Sequence, residues 1–574
     1  MTNCNFLSDL NRLRKSSSES IDNVEKFDRF KEYMHVTRMV EEDLKNILRK
    51  VNEVNKKSLV LLCGSAGDGK SHLLSYLKNS DEEKLIEGYT IYNDATESSA
   101  PSKTAIETLN ELLDEFKDTN LEIPGKNVIL AINLGVLSNF IESEYGENYQ
   151  ELRRYVEENN ILTNMVNHKG YSSMSNFQHV SFSDYHMFSL TEKGIHAGYI
   201  EEILSKVFRA SEENVFYLSY ENNCNGCPLA QKCPVKKNYE FLENEKVQNY
   251  VAELLVKSAI KDKMILTTRE ILNFIYDMLV AQDFNYTDLQ KLSVDNAQYL
   301  KVFMQQITPA LLFDSKDVTA LMNVMGKYDP LLFRNEYSDD DAIDYYVSSN
   351  VTGVIKEAFA GIQYSDVITS EEMLERINSD KDLKSSMYNL LIRVKDMMNE
   401  QSEDEKYRRF LKDLYMYNAG KGNKLGSLYE MVQKSVEQWC GSDGDGNLRL
   451  QENNARFTLY ETVEFTPNIS HIPEKNQEDE IHRFVPSIVV AFEGGNGELI
   501  KLDIDYELYS LIYRLNQGYI QTANDRNNHA DFISFIDRIL QTGSLDKEII
   551  VLSENKEKAM IKKGMFGYKF KVVK

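Results

Sequence analysis

Between about residues 6 and 55 apolar side chains recur at helical spacing, with Phe27, Phe30, Tyr33 and Met34 on one stripe and Leu44, Ile47, Leu48 and Val51 on another. The spacing predicts a lead-in of two amphipathic helices. At Leu59 the pattern changes to an unbroken apolar run ending at Cys63, and Leu73, Leu74 and Leu77 then return to helical spacing. Further strands are predicted over 89–94, 127–133 and 180–182, and helices over 104–116 and 194–208. Strands alternating with helices imply right-handed crossovers and a parallel sheet. From 240 to about 440 the chain reads as almost wholly helical, for example at Val247, Val251, Leu254 and Leu255, with no repeat of fixed period. After Gly441 come short runs rich in β-branched and aromatic residues at 457–460, 463–465, 488–492, 549–552 and 568–572, with a helix across 532–540. These predict a separate C-terminal domain containing β-sheet.

The junction between the first strand and its helix holds the most informative motif. Gly64, Ser65, Ala66, Gly67, Asp68, Gly69, Lys70 and Ser71 satisfy G-x-x-x-x-G-K-[ST]. Glycines at this turn let backbone N–H groups converge on the phosphates of a nucleotide, Lys70 can reach the β and γ phosphates, and the Ser71 hydroxyl can ligate Mg²⁺. The expected fold class is a multidomain α/β plus α protein. A P-loop NTPase core with a parallel, AAA+-like sheet spans 56–220, after the helical lead-in 1–55. A cysteine-cluster insertion occupies 221–240, a helical lid and helical region 241–440, and an α+β domain 441–574.

Composition agrees with several domains, since 574 residues exceed one core by a prior of about 100–200 residues per domain. No run approaches the roughly 18 apolar residues needed to span a membrane. The opening residues lack the basic and apolar pattern of a secretory signal, and six cysteines in so long a chain form no disulfide framework. The cytoplasm is the expected compartment. A net charge of −24 repels phosphate backbones, so contact with DNA is expected to be local or to go through partners. The serine-rich stretch 16–20 reads as a solvated turn.

ATP hydrolysis needs a carboxylate near Mg²⁺ and a polar group that holds the attacking water. Asp94, with Glu97 just beyond it, ends one strand and is the expected catalytic carboxylate. Asn133 ends the next and resembles the polar sensor residue of AAA+ ATPases. If Asn133 instead takes the place of the Mg²⁺-linked carboxylate, hydrolysis would be slow or the site a nucleotide switch. Arg269 follows the threonine cap of a predicted helix and resembles the second-sensor arginine of AAA+ lids, where a guanidinium pairs bidentately with γ-phosphate. Cys224, Cys227 and Cys233, in C-x2-C-x5-C order, approach a structural zinc knuckle, with an iron–sulfur cluster as the alternative. His179, His186, His196 or Cys440 could supply a fourth ligand. Asp443 to Asn447 begins like a calcium loop, but Leu448 stands where glycine is required, and the segment is expected to be a flexible linker. No clustered carboxylates with a lysine, and no histidine–metal centre among nine histidines, suggest a nuclease.

Together these residues resemble the DNA phosphorothioation-dependent restriction protein DptF family. The likeness rests on 63–71, on Asn93 to Glu97 followed by Thr104 to Ile106, on Ala131 to Gly135, on the Cys-Pro cluster at 227–234 and on 27–36. It implies the ATPase subunit of a bacterial anti-phage defence complex whose partner subunits help restrict DNA lacking a sulfur-modified backbone. A nucleotide-dependent oligomer is compatible with that role. Two other classes stay open. A STAND-type signalling switch would carry a C-terminal sensor repeat, and a noncatalytic scaffold would bind nucleotide without turnover.

Overall fold

The computed structural model describes residues 4–14, 29–54, 56–93, 104–163, 170–291, 297–333, 336–348, 350–399, 404–443, 445–450, 457–472, 478–543, 548–553, 558–565 and 567–573. Asp94, Glu97 and the serine-rich stretch 16–20 lie outside them. The chain divides into two compact units, Met1–Ser189 with Ala197–Ser402, and Leu190–His196 with Glu403–Lys574.

In the first unit the helices α1 (Asn5–Leu10), α2 (Arg29–Tyr33) and α3 (Met39–Glu53) precede the strand β1 (Leu59–Cys63). Alternation along β1 sends Leu59, Leu61 and Cys63 to one face and Val60 and Leu62 to the other, and both faces are buried. A strand so covered belongs in the interior of a parallel sheet. The neighbours are β2 (Thr90–Tyr92), β3 (Val128–Ile132) and β4 (Phe177–Ser181), in the order β2-β3-β1-β4 with every pairing parallel. On one face α3 and α4 (Lys70–Asn79) bury Leu44, Ile47, Leu48, Leu73, Leu74 and Leu77 against Val60, Leu62, Ile129 and Ala131. The opposite face is covered by α5 (Ala105–Leu112), α6 (Leu134–Glu142) and α7 (Gln150–Glu158), through Leu109, Phe140 and Leu152 among others. Each such side chain contributes about 1.5–3 kcal/mol by leaving water. The lead-in is therefore one wall of the sheet domain rather than a piece apart from it.

Register sets up the functional edge. Cys63 stands opposite both Ile132 and Ser181, so the chain leaves β1, β3 and β4 at one level. In open parallel sheets the carboxyl ends of the strands border the ligand crevice. Beyond β4, a hairpin is formed by β5 (Tyr185–Thr191) and β6 (Gly194–His196), and its tip is the part counted with the second unit. The first unit continues through α8 (Gly198–Phe208), α9 (Val215–Cys224), α10 (Pro234–Leu242), α11 (Glu245–Lys261) and α12 (Thr268–Leu279), then through helices to Met398. Within that last stretch Arg393 is buried and makes two forked pairs. Its Nη1 and Nη2 donate to Asp314 at 2.7 Å each, and its Nε and Nη2 to Asp329 at 3.1 and 2.6 Å.

Among the described residues two antiparallel sheets lie wholly within the second unit. One joins β9 (Phe465–Asn468), β11 (Ile488–Gly494) and β12 (Leu499–Ile504) in the order β12-β11-β9, with β10 (Ile481–Arg483) lying between β9 and β11 in sequence. The other has the order β15-β14-β13-β8-β7, from β7 (Leu448–Arg449) and β8 (Phe457–Glu461) to β13 (Glu548–Ser553), β14 (Lys558–Gly564) and β15 (Gly567–Val573). The division falls near 403, not at 441. Helices Glu405–Asn418 and Gly426–Cys440 belong here because their apolar sides pack on this unit: Phe410 meets the rings of Tyr506 and Tyr509, and Trp439 meets Phe532 at 5.4 Å. The expected linker after Gly441 is built into structure. Asp443 accepts the N–H groups of Asp445 and Asn447 and pairs with Lys558 at 2.6 Å, and β7 joins the sheet directly afterwards. The observed fold is thus mixed α/β, an all-parallel four-stranded sheet with many helices and separate antiparallel sheets. Among the described residues no helix is long and apolar enough to cross a membrane.

Candidate functional site

Between β1 and α4 the glycine-rich loop is shaped by backbone that side-chain-bearing residues rarely adopt. Gly67 and Gly69 have φ of +90° and +100°, and glycine alone takes such values without strain. Asp68 folds back inside the turn, where its Oδ2 accepts the Ser65 N–H at 2.5 Å. Lys70, the first residue of α4, donates from Nζ to the carbonyls of Gly64 and Ser65 at 2.9 and 2.7 Å. A cation, the N-terminal end of a ten-residue helix and a turn of backbone N–H groups make this an anion-binding arrangement. Ser71 and residues 66–70 line a cleft of about 270 Å³ in front of it.

Asp68 brings a negative charge to this edge, and burial raises its pKa against the opposing pull of the Ser65 N–H and Lys70. Two substitutions should therefore act in opposite directions. Asp68→Asn keeps an acceptor for the Ser65 N–H while removing the charge, and should tighten binding of a phosphate-bearing ligand severalfold. Asp68→Ala removes the brace and should weaken it. Titration with a fluorescent nucleotide checks both; equal effects would show that the carboxylate does neither.

The strand ends supply the polar groups facing the loop. Asn133 follows β3, the strand beside β1, and lines the cleft. Its Oδ1 caps α6 by accepting the Gly135 N–H at 2.8 Å, which leaves the carboxamide NH₂ as the function suited to an anionic oxygen. Asn93 closes β2 one strand further out and also lines the cleft. Its buried Oδ1 has no hydrogen-bond partner among the described residues. The residue pattern favours Asp94 over Asn93 as the functional group here, although Asn93 is the residue at the strand end.

From across the chain α12 closes the cleft. Thr267 and Glu270 form a reciprocal cap at its start, and a Cβ added to Gly67 would lie 3.3 Å from the Cβ of Arg269 and 3.4 Å from the Thr267 hydroxyl. A side chain at Gly67 would press on both, and its φ of +90° already favours glycine. Arg269 is thereby set beside the loop with its Nε buried and unsatisfied among the described residues, as is Oδ1 of Asn273 one turn on. Tyr199 of α8 holds the cap in place through a 2.8 Å hydrogen bond with Thr268.

The segment between α2 and α3 is a wall that helical spacing did not reveal. Arg38 donates to the Asp68 carbonyl at 3.1 Å and the Tyr185 carbonyl at 3.3 Å, with its guanidinium over the rings of Phe182 and Tyr199. His35 lies 3.1 Å from Nε2 of His72, stacks on Tyr76 and pairs with Glu41. Burial, with His35 and Lys31 adding to it, lowers His72 to about 4, so this wall carries a neutral imidazole near neutral pH. Below the loop, burial raises the Cys63 thiol to about 12, which makes it packing rather than chemistry.

No family model, curated protein or solved structure matches this chain.

The cysteines lie apart from this cleft's lining. Cys224 ends α9, Cys227 follows in the next turn and Cys233 caps α10. The expected partners for them are engaged elsewhere. His179 meets the hydroxyl of Tyr155 at 2.9 Å in the sheet core, and His186 packs against Phe188. His196 lies 3.2 Å from Glu480, and Cys440 ends its own helix, both in the second unit. Among the described residues no three His, Cys, Asp or Glu side chains are gathered tightly enough to hold a metal ion.

Proposed function

We propose that this chain is a P-loop ATPase subunit of a bacterial complex that restricts DNA lacking a phosphorothioate backbone. The observation that carries the ATPase reading is the approach of the α12 N-terminus to Gly67, which sets Arg269 against the loop that holds Lys70. A loop that grips phosphates and a helix that bears an arginine on the same cleft are the two parts that a nucleotide-driven lid needs.

On this reading Lys70 and the loop N–H groups hold the β and γ phosphates, and Ser71 with Asp94 holds Mg²⁺. Bound by these two residues, Mg²⁺ would supply charge neutralisation at the phosphates. Asn133 orients the attacking water with its amide NH₂, and Arg269 supplies charge to the γ-phosphate when α12 bears down on the loop. The family resemblance supplies the DNA context. The charge of −24 supports a division of labour in which partner subunits make most DNA contact and perform cleavage.

Asn133→Ala and Arg269→Ala are each expected to slow phosphate release by roughly 100- to 1,000-fold while changing nucleotide affinity much less. Arg269→Lys should not restore the rate, because an ammonium cannot make the forked pair. Unchanged turnover in both alanine variants would remove the assigned roles. Measuring turnover with and without DNA, together with a pull-down from the native host, tests the wider reading. Turnover that ignores DNA and isolation without restriction partners would favour the signalling switch, and nucleotide binding without turnover would favour the scaffold.

A further inference from the structure

Four of the chain's six cysteines share one neighbourhood, and the fourth comes from the far end of the sequence. Helix α1 packs against α9. The Asn5 amide donates to Asn223 at 3.2 Å although the two lie 218 positions apart. Phe6 meets Tyr220 ring to ring at 5.9 Å, and Ser219 donates to Asp9 at 2.6 Å. Asn5 follows Cys4 and Asn223 precedes Cys224, so this contact brings the N-cap of α1 to the C-terminal end of α9, where the cysteine turn begins. All four thiols are free.

We propose that Cys4 joins Cys224, Cys227 and Cys233 in a four-thiolate zinc site that fastens the N-terminal helix to the helical region. As placed, the thiols are not drawn into one shell, and two of them face other partners. Cys4 Sγ takes the Leu7 N–H at 3.5 Å, and Cys227 Sγ lies 3.7 Å from the Tyr286 hydroxyl. Sulfur hydrogen bonds are weak, and side-chain rotation exchanges them for zinc–thiolate bonds. The Cys4 thiol lies close enough to both Cys224 and Cys233 for charge on one to be felt by the others. A divalent cation among them would stabilise the thiolate form that zinc binds. No position in a four-thiolate shell is left for substrate, so the site is structural.

The test uses the full chain purified without added metal. Elemental analysis should find one zinc per chain, reduced at least tenfold in Cys4→Ser and unchanged in Cys440→Ser. With cobalt(II) in place of zinc, the visible bands should have the intensity of four sulfur ligands in the wild type. Cys4→His, which can still ligate, should shift them to a three-sulfur, one-nitrogen pattern even if Cys4→Ser folds poorly. A metal-free wild type, iron with labile sulfide, or a cobalt spectrum that Cys4→His leaves unchanged would each overturn the proposal. Lys70→Ala should retain full zinc, so the outcome is separable from the nucleotide reading.

Discussion

Lys70→Ala is expected to lose about 2–5 kcal/mol of nucleotide affinity, roughly thirtyfold to a few thousandfold, and with it all measurable turnover. The size follows from what the ammonium does. It bonds to two loop carbonyls and is the positive side chain drawn across the turn to which the proposed reading assigns the phosphates. Truncation leaves the β and γ phosphate charge to the backbone N–H groups and the α4 dipole, which are worth less than a full charge at contact distance. Lys70→Arg should recover little, because the longer planar fork does not fit the same two carbonyls. Equilibrium titration with a fluorescent ATP analogue measures the loss, with an unchanged thermal melt in the absence of ligand as the control. Wild-type affinity in Lys70→Ala would refute the assignment of the loop.

The second large effect concerns stability. Arg393→Ala is expected to destabilise the first unit by about 3–5 kcal/mol. The guanidinium answers two carboxylates, and they differ in exposure: the Asp314 side chain is 63% accessible and that of Asp329 only 10%. Water can resolvate Asp314 after the substitution, whereas Asp329 keeps a buried charge with the Leu331 N–H as its remaining bond. The double variant Arg393→Ala/Asp329→Ala should therefore recover part of the loss, since the orphaned charge goes with its partner. Urea unfolding followed by tryptophan-independent far-UV circular dichroism reads both. A double variant less stable than the single one would show that the pair acts by packing rather than by charge.

Much of the sheet domain is legible because its signals are local. The buried run 59–63, the glycine-rich turn and the apolar spacing after it specify strand, turn and helix within a few residues of each other. Thr267 and Glu270 likewise announce the start of α12 in four residues. What the pattern withholds is meeting across distance. Spacing identifies the stripe that ends at Met34, yet nothing in it tells that Arg38 reaches the Asp68 carbonyl. The same holds for Cys4, whose local surroundings carry no metal-ligand spacing and whose neighbourhood arises from α1 docking on α9. Helices Glu405–Asn418 and Gly426–Cys440 mislead in the opposite way: they continue a helical stretch without a break in composition, so only their buried faces reveal the unit they serve.

The hairpin whose tip is counted with the second unit has a bearing on biosynthesis. Residues 190–196 leave the ribosome long before 403–574, the remainder of the unit to which they belong. Leu190 is fully buried in the finished molecule, and a nascent chain halted near residue 402 still lacks the rest of the unit to which this residue belongs. Neither unit can be cut out at a single peptide bond, and a gene fragment encoding either one alone omits or strands this tip. The second unit is thus completed only after the whole of the first has been synthesised.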